Sequence, residues 1–84
     1  MTEQAQLPRI FVDFNNCDRQ GRARLNCIGT LKDLCRLGVV LREGLEICLS
    51  SYELEADGVA TYSQEEGLWV ARFDLNKIRE LPGN

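Results

Sequence analysis

The chain has 84 residues, enough for one compact domain, and its apolar content of 44% and charged content of 27% are those of an ordinary globular protein. No run of about 18 apolar residues occurs, which excludes a membrane-spanning helix. The opening residues lack the charged and apolar regions of a signal peptide, so the expected location is cytoplasmic. Net charge is −3, unevenly spread. Residues 1–43 hold seven Lys/Arg against five Asp/Glu, and residues 44–84 hold three against eight. The overall acidity argues against tight nonspecific nucleic-acid binding, which depends on neutralising phosphates.

Residues 1–7 read as a tail, and residues 8–84 as a single domain. Pro8 opens a segment in which Ile10, Val12 and Phe14 alternate with Arg9, Phe11 and Asp13, the period of a strand. Asn15 to Gly21 is turn chemistry. Ala23, Leu25 and Cys27 then alternate with Arg22, Arg24 and Asn26, and the two strands are expected to pair as a hairpin. A helix follows over 30–37, with Thr30 as its cap, Asp33 as a capping-box analogue and Gly38 as its stop. Leu31, Leu34, Cys35 and Leu37 supply its apolar stripe.

From Val39 the pattern returns to strands. Leu45, Ile47 and Leu49 alternate with Glu46, Cys48 and Ser50 after the Glu43-Gly44 turn. Hairpin signals at 55–58 and 64–67 precede the strands 59–63 and 68–73. Asp74 can cap a last short helix over 75–81, ended by Pro82-Gly83. The expected fold is mainly β with short helices: five antiparallel strands in a small, partly closed barrel, one helix between strands 2 and 3, and a short C-terminal helix.

Few residues mark chemistry. There is no histidine, hence no His-based general base, nucleophile pair or metal ligand. Neither phosphate-loop glycine pattern is present. Cys17, Cys27, Cys35 and Cys48 include no C-x-x-C pair, so a knuckle-type metal site is not expected, and free thiols fit a reducing compartment. Asn16-x-Asp18-x-Gln20-Gly21 echoes a calcium loop, but Cys27 stands where its bidentate Glu belongs. No enzyme, metal or cofactor is expected.

Two groups of residues suggest binding. Arg19, Arg22 and Arg24 form the densest basic cluster, suited to phosphate or nucleic acid, or else a solvated face paired with carboxylates. The Arg-x-x-x-Arg spacing of cyclic-dinucleotide receptors is missing, and few aromatics are interleaved. Phe11, Tyr62 and Trp69 are candidate protein-interface residues. Phe11 either packs beneath the helix or stands out as an anchor, and Trp69 is either anchor or core.

The glycines and strands of Gly44-Leu-Glu-Ile-Cys-Leu, Asp57-Gly58-Val-Ala-Thr-Tyr and Gly67-Leu-Trp-Val-Ala-Arg-Phe-Asp74 resemble the meander of SH3-like barrels. The likeness covers about residues 39–81 and implies a binding module. The strand Ile10-Phe-Val-Asp-Phe-Asn-Asn16 resembles the opening of a group of short, uncharacterised bacterial proteins. The expected function is a non-catalytic module that binds a protein partner or itself. The alternatives are a nucleic-acid-associated module using the arginines and a thiol redox protein.

Overall fold

A computed structural model describes residues 7–82, so the expected N-terminal tail lies outside the described residues except for Leu7. The elements are β1 (Arg9–Phe11), β2 (Ala23–Arg24), α1 (Ile28–Leu37), β3 (Glu46–Ser50), β4 (Leu54–Ser63), β5 (Leu68–Phe73), a 3-10 turn (Leu75–Lys77) and β6 (Arg79–Glu80). The strands form one sheet in the order β1-β3-β4-β5-β2, with β6 also paired to β4. The protein is mainly β, and its sheet curls into a half-barrel. Among the described residues no helix is long and apolar enough to cross a membrane.

The sheet is mixed, which corrects the antiparallel expectation. β1 runs parallel to β3, with Ile10 opposite Leu49, and every other pairing is antiparallel. Adjacent parallel strands need a crossover connection, usually helical, and the long path through β2 and α1 supplies it. The expected hairpin between the first two strands does not form, because β2 pairs with β5. The turn residues close a smaller loop instead. Cys17 bridges to Ala23, and Arg24 donates its N–H to the Asn16 carbonyl at 2.9 Å.

The C-terminal helix is replaced by the 3-10 turn and β6. Asp74 caps the turn by accepting from the Asn76 N–H at 2.9 Å. Beyond it, Arg79 reaches Glu55 at 3.0 Å and Asp57 at 3.2 Å, and the Leu81 N–H donates to the Glu53 carbonyl. An isolated seven-residue helix is marginal, so strand pairing on β4 prevails.

The core comprises Ile10, Val12, Ala23, Leu25, Ile47, Leu49, Ala60 and Ala71, with Phe14, Leu34, Trp69 and Phe73 packed against it. Trp69 therefore serves the core. Ala60, Ala71 and Ala23 lie side by side across β4, β5 and β2. Small side chains in that row leave room for the sheet to curl, while larger ones fill the ends.

Candidate functional site

β1 is an edge strand, and such an edge needs protection. Its even-numbered side pairs with β3, through Cys48 N–H to the Pro8 carbonyl at 2.8 Å and Val12 N–H to the Ser50 carbonyl at 2.9 Å. Phe11 faces the other way, and α1 meets it there. The Phe11 N–H donates to Asp33 Oδ2 at 2.8 Å, and Thr30 Oγ1 donates to the Phe11 carbonyl at 2.5 Å. Two helix side chains thus stand in for a strand partner.

This latch explains why neither residue caps the helix. The N-cap is Cys27, which makes no side-chain cap bond, and Thr30 is fully buried inside α1. Gly38 ends the helix in the left-handed conformation as expected, with φ 67°. The approach is close enough to require Gly29, where a Cβ would lie 2.6 Å from Phe11 Cδ2. Replacing Thr30 with valine removes the side-chain donor to the Phe11 carbonyl from a part-buried hydrogen bond. Equilibrium urea unfolding should show a loss of about 1–2 kcal/mol.

Docking through Gly29, Thr30, Asp33 and Leu34 turns the opposite face of α1 outward. Ile28 is 72% exposed and Leu31 53% exposed, and Cys35 is exposed on the same side. Positions i, i+3 and i+7 share one helical face. The expected inward stripe therefore reduces to Leu34, with Leu31, Cys35 and Leu37 facing solvent. Lys32 and Arg36 flank the outward apolar residues, and Arg36 reaches Asp33 at 3.2 Å.

The aromatics singled out from the sequence do not form one surface. Phe11 packs under α1 at Gly29 and against Tyr52, with ring centroids 5.4 Å apart. Tyr62 is 44% exposed and meets Trp69 edge to face at 5.3 Å. Phe11 is level with Ser50 and Glu55, whereas Tyr62 stands far along β4. At about 3.3 Å per residue they are roughly 23 Å apart. A groove of about 870 Å³ elsewhere contains none of them and is lined by residues of mixed charge including Glu46, Asp57 and Arg72. Among the described residues no cluster of three metal-ligating side chains occurs.

Each cluster arginine has a carboxylate. Arg19 reaches Glu65 at 2.9 Å, Arg22 reaches Asp18 at 2.8 Å, and Arg24 forks onto Glu66 at 2.7 and 2.8 Å. Arg24 also donates to Asn16 at 3.1 Å. The Arg19 and Arg24 pairs tie the 15–22 loop and β2 to the β4–β5 turn, the Arg22 pair closes the loop on itself, and all three balance the local charge. Arg24's fork holds the Glu66 carboxyl below the usual range. Hydrogen bonds from Thr61 Oγ1 and the Tyr62 N–H lower Glu43 in the same way. Burial foremost raises the thiols of Cys17 and Cys48, the reverse of what a reactive cysteine needs.

Sequence reasoning missed the outward face of α1, and it weighed Tyr52 as a plausible exposed aromatic without placing it among the interface candidates. The signal for Tyr52 was an aromatic inside a polar turn, Ser51-Tyr52-Glu53. Compared with protein-family models, curated proteins and solved structures, the chain finds no match.

Proposed function

We propose that the chain is a non-catalytic interaction module that presents the outward face of α1 to a protein partner. One observation carries this reading: Ile28 and Leu31 stay solvent-exposed on a helix whose other face is latched to β1. Exposed large apolar side chains grouped on one face mark interaction surfaces. The flanking Lys32 and Arg36 favour a partner with acidic residues around an apolar strip. They also disfavour pairing of two copies about a two-fold axis at α1, which would bring like charges together.

We read the curled sheet as a variant of the SH3-like barrel meander. The antiparallel run β3–β4–β5 and the 3-10 turn before β6 support this. Four free thiols fit a reducing, cytoplasmic setting. The arginine cluster adds no second reading, since carboxylates already pair each member.

The test is capture of partners by the immobilised chain beside the variant Leu31→Glu, with sedimentation of both. We expect a specific capture by the native chain that Leu31→Glu reduces at least tenfold, about 1.4 kcal/mol or more. Equal capture by both, or a Leu31→Glu-sensitive dimer in sedimentation, contradicts the reading.

A further inference from the structure

A second surface carries the chemistry of a specific ligand. Between residues 12–15 and the 51–54 turn lies an open groove of about 370 Å³. Phe11 and Tyr52 form one wall, with rings 57° apart in tilt, and Phe14 and Leu54 contribute apolar surface. Asp13 and Glu53 stand at its rim, both exposed, and no Lys or Arg lines it. Tyr52 is 89% exposed, an unusual place for a large aromatic unless something covers it.

The walls are built, not loose. Ser51 Oγ accepts from the N–H groups of Glu53 at 3.3 Å and Leu54 at 3.0 Å, which sets the turn. Asp13 Oδ1 accepts from the Asn15 N–H at 2.9 Å, which orients that carboxylate. Some carboxylates of the sheet and its turns meet arginines, Glu55 with Arg9 and Arg79 and Glu66 with Arg24, while others such as Glu46 and Glu80 form no such pair among the described residues. Among the described residues Asp13 and Glu53 form no ion pair. The groove combines an aromatic face, apolar walls and two carboxylates, and it lacks a cation.

We propose that this groove holds an arginine side chain from a basic segment of a protein partner. A planar guanidinium stacks on the Tyr52 ring while its N–H fork reaches a rim carboxylate, and its aliphatic stem lies along Phe14 and Leu54. A lysine ammonium matches only the charge. The proposal extends the interaction reading but rests on other residues. Substitutions at Ile28 and Leu31 leave it unchanged, so the two can fail separately.

The probe is a short capped peptide with one arginine among alanines, titrated into the isotope-labelled full chain at low salt. Peptides with citrulline or lysine in its place are the controls. We expect saturable amide shifts confined to residues 11–15 and 51–54, with a dissociation constant on the order of 1 mM. The citrulline peptide gives none, and the lysine peptide binds several-fold more weakly. Tyr52→Leu and Glu53→Gln each weaken binding about three- to fivefold. Both are surface changes, so unchanged amide signals elsewhere report an intact fold. Equal shifts from citrulline or lysine overturn the assignment, as do shifts spread over other acidic residues or no shift at all.

Discussion

Replacing Gly58 with alanine should destabilise the protein by about 2–3 kcal/mol and lower its melting temperature by roughly 10–20 °C. Gly58 is buried in β4 opposite Ile47 and Phe73. A Cβ there would lie 2.8 Å from Leu49 Cδ1, 3.0 Å from Leu49 Cγ and 3.0 Å from the Arg72 carbonyl oxygen. Leu49 is fully buried and cannot swing into solvent, and the carbonyl belongs to the neighbouring strand. The added methyl must therefore move packed core or sheet backbone. Leu49→Ala alone leaves a cavity, costing about 2–5 kcal/mol. Combined, the two changes should cost about 1–2 kcal/mol less than their sum, because the new methyl occupies vacated space. Chemical unfolding of the four proteins measures this coupling. Strict additivity would mean that Leu49 does not set the space at Gly58.

Replacing Asp18 with alanine should cost about 2–4 kcal/mol. Its carboxylate is buried and accepts from the N–H groups of Gln20 and Arg22, each at 2.9 Å, and from Arg22 Nε at 2.8 Å. Removing it strands two loop amides and a largely buried guanidinium. Burial by itself pushes the Asp18 carboxyl up, but the bonds from Arg22 and Gln20 outweigh it and hold the group below its usual range. Glu43 and Glu66 are shifted the same way. A folded-state pKa below the unfolded value gives stability that is present above the unfolded pKa, about 4. That stability is lost as pH falls through the lower folded values. Urea midpoints should therefore hold between neutral pH and about 5, then drop below about 4. Asp18→Ala should show a shallower drop, having lost one of the responsible groups.

These residues show what a sequence can convey about this fold. The helix with its Gly38 stop and the β4–β5 hairpin at 64–67 were legible because period-two and helical patterns and turn residues act locally. The turn expected at 55–58 is strand instead: Glu55 to Gly58 pair with β3 inside β4, and the chain reverses at 51–54. The parallel pairing of β1 was not, since alternation in Ile10, Val12 and Phe14 identifies a strand and says nothing of its neighbour. Asp18 was visible as turn chemistry, but its burial depends on Arg22 folding back over it. Thr30 and Asp33 were read as the cap and capping box of the helix, but the helix begins at Ile28 and neither side chain caps it. Their partner proved to be Phe11, nineteen and twenty-two residues away, and not the helix end.

The same long-range effect redrew the candidate site. A helical stripe of Leu31, Leu34, Cys35 and Leu37 reads as inward-facing when it has a sheet to lie on. Here α1 docks by its Gly29, Thr30 and Asp33 edge, so Leu31 and Cys35 turn outward with Ile28. Tyr52 gained meaning only when the 51–54 turn was placed beside Phe11. The arginine cluster could not be weighed without Glu65 and Glu66, which the β4–β5 turn brings to it across 42 positions of chain in the case of Arg24.

The most direct test of the α1 surface uses Cys35, which is exposed on that face. A photo-activated cross-linker is attached there, with the other three cysteines changed to serine or alanine and folding confirmed by the amide spectrum. A parallel sample carries the linker on a cysteine placed at the exposed Lys77, in the 3-10 turn. Illumination in extract should give a discrete adduct from position 35 that Leu31→Glu abolishes, and none from position 77. Adducts equal at both positions, or unaffected by Leu31→Glu, would contradict a partner-binding role for the outward face of α1.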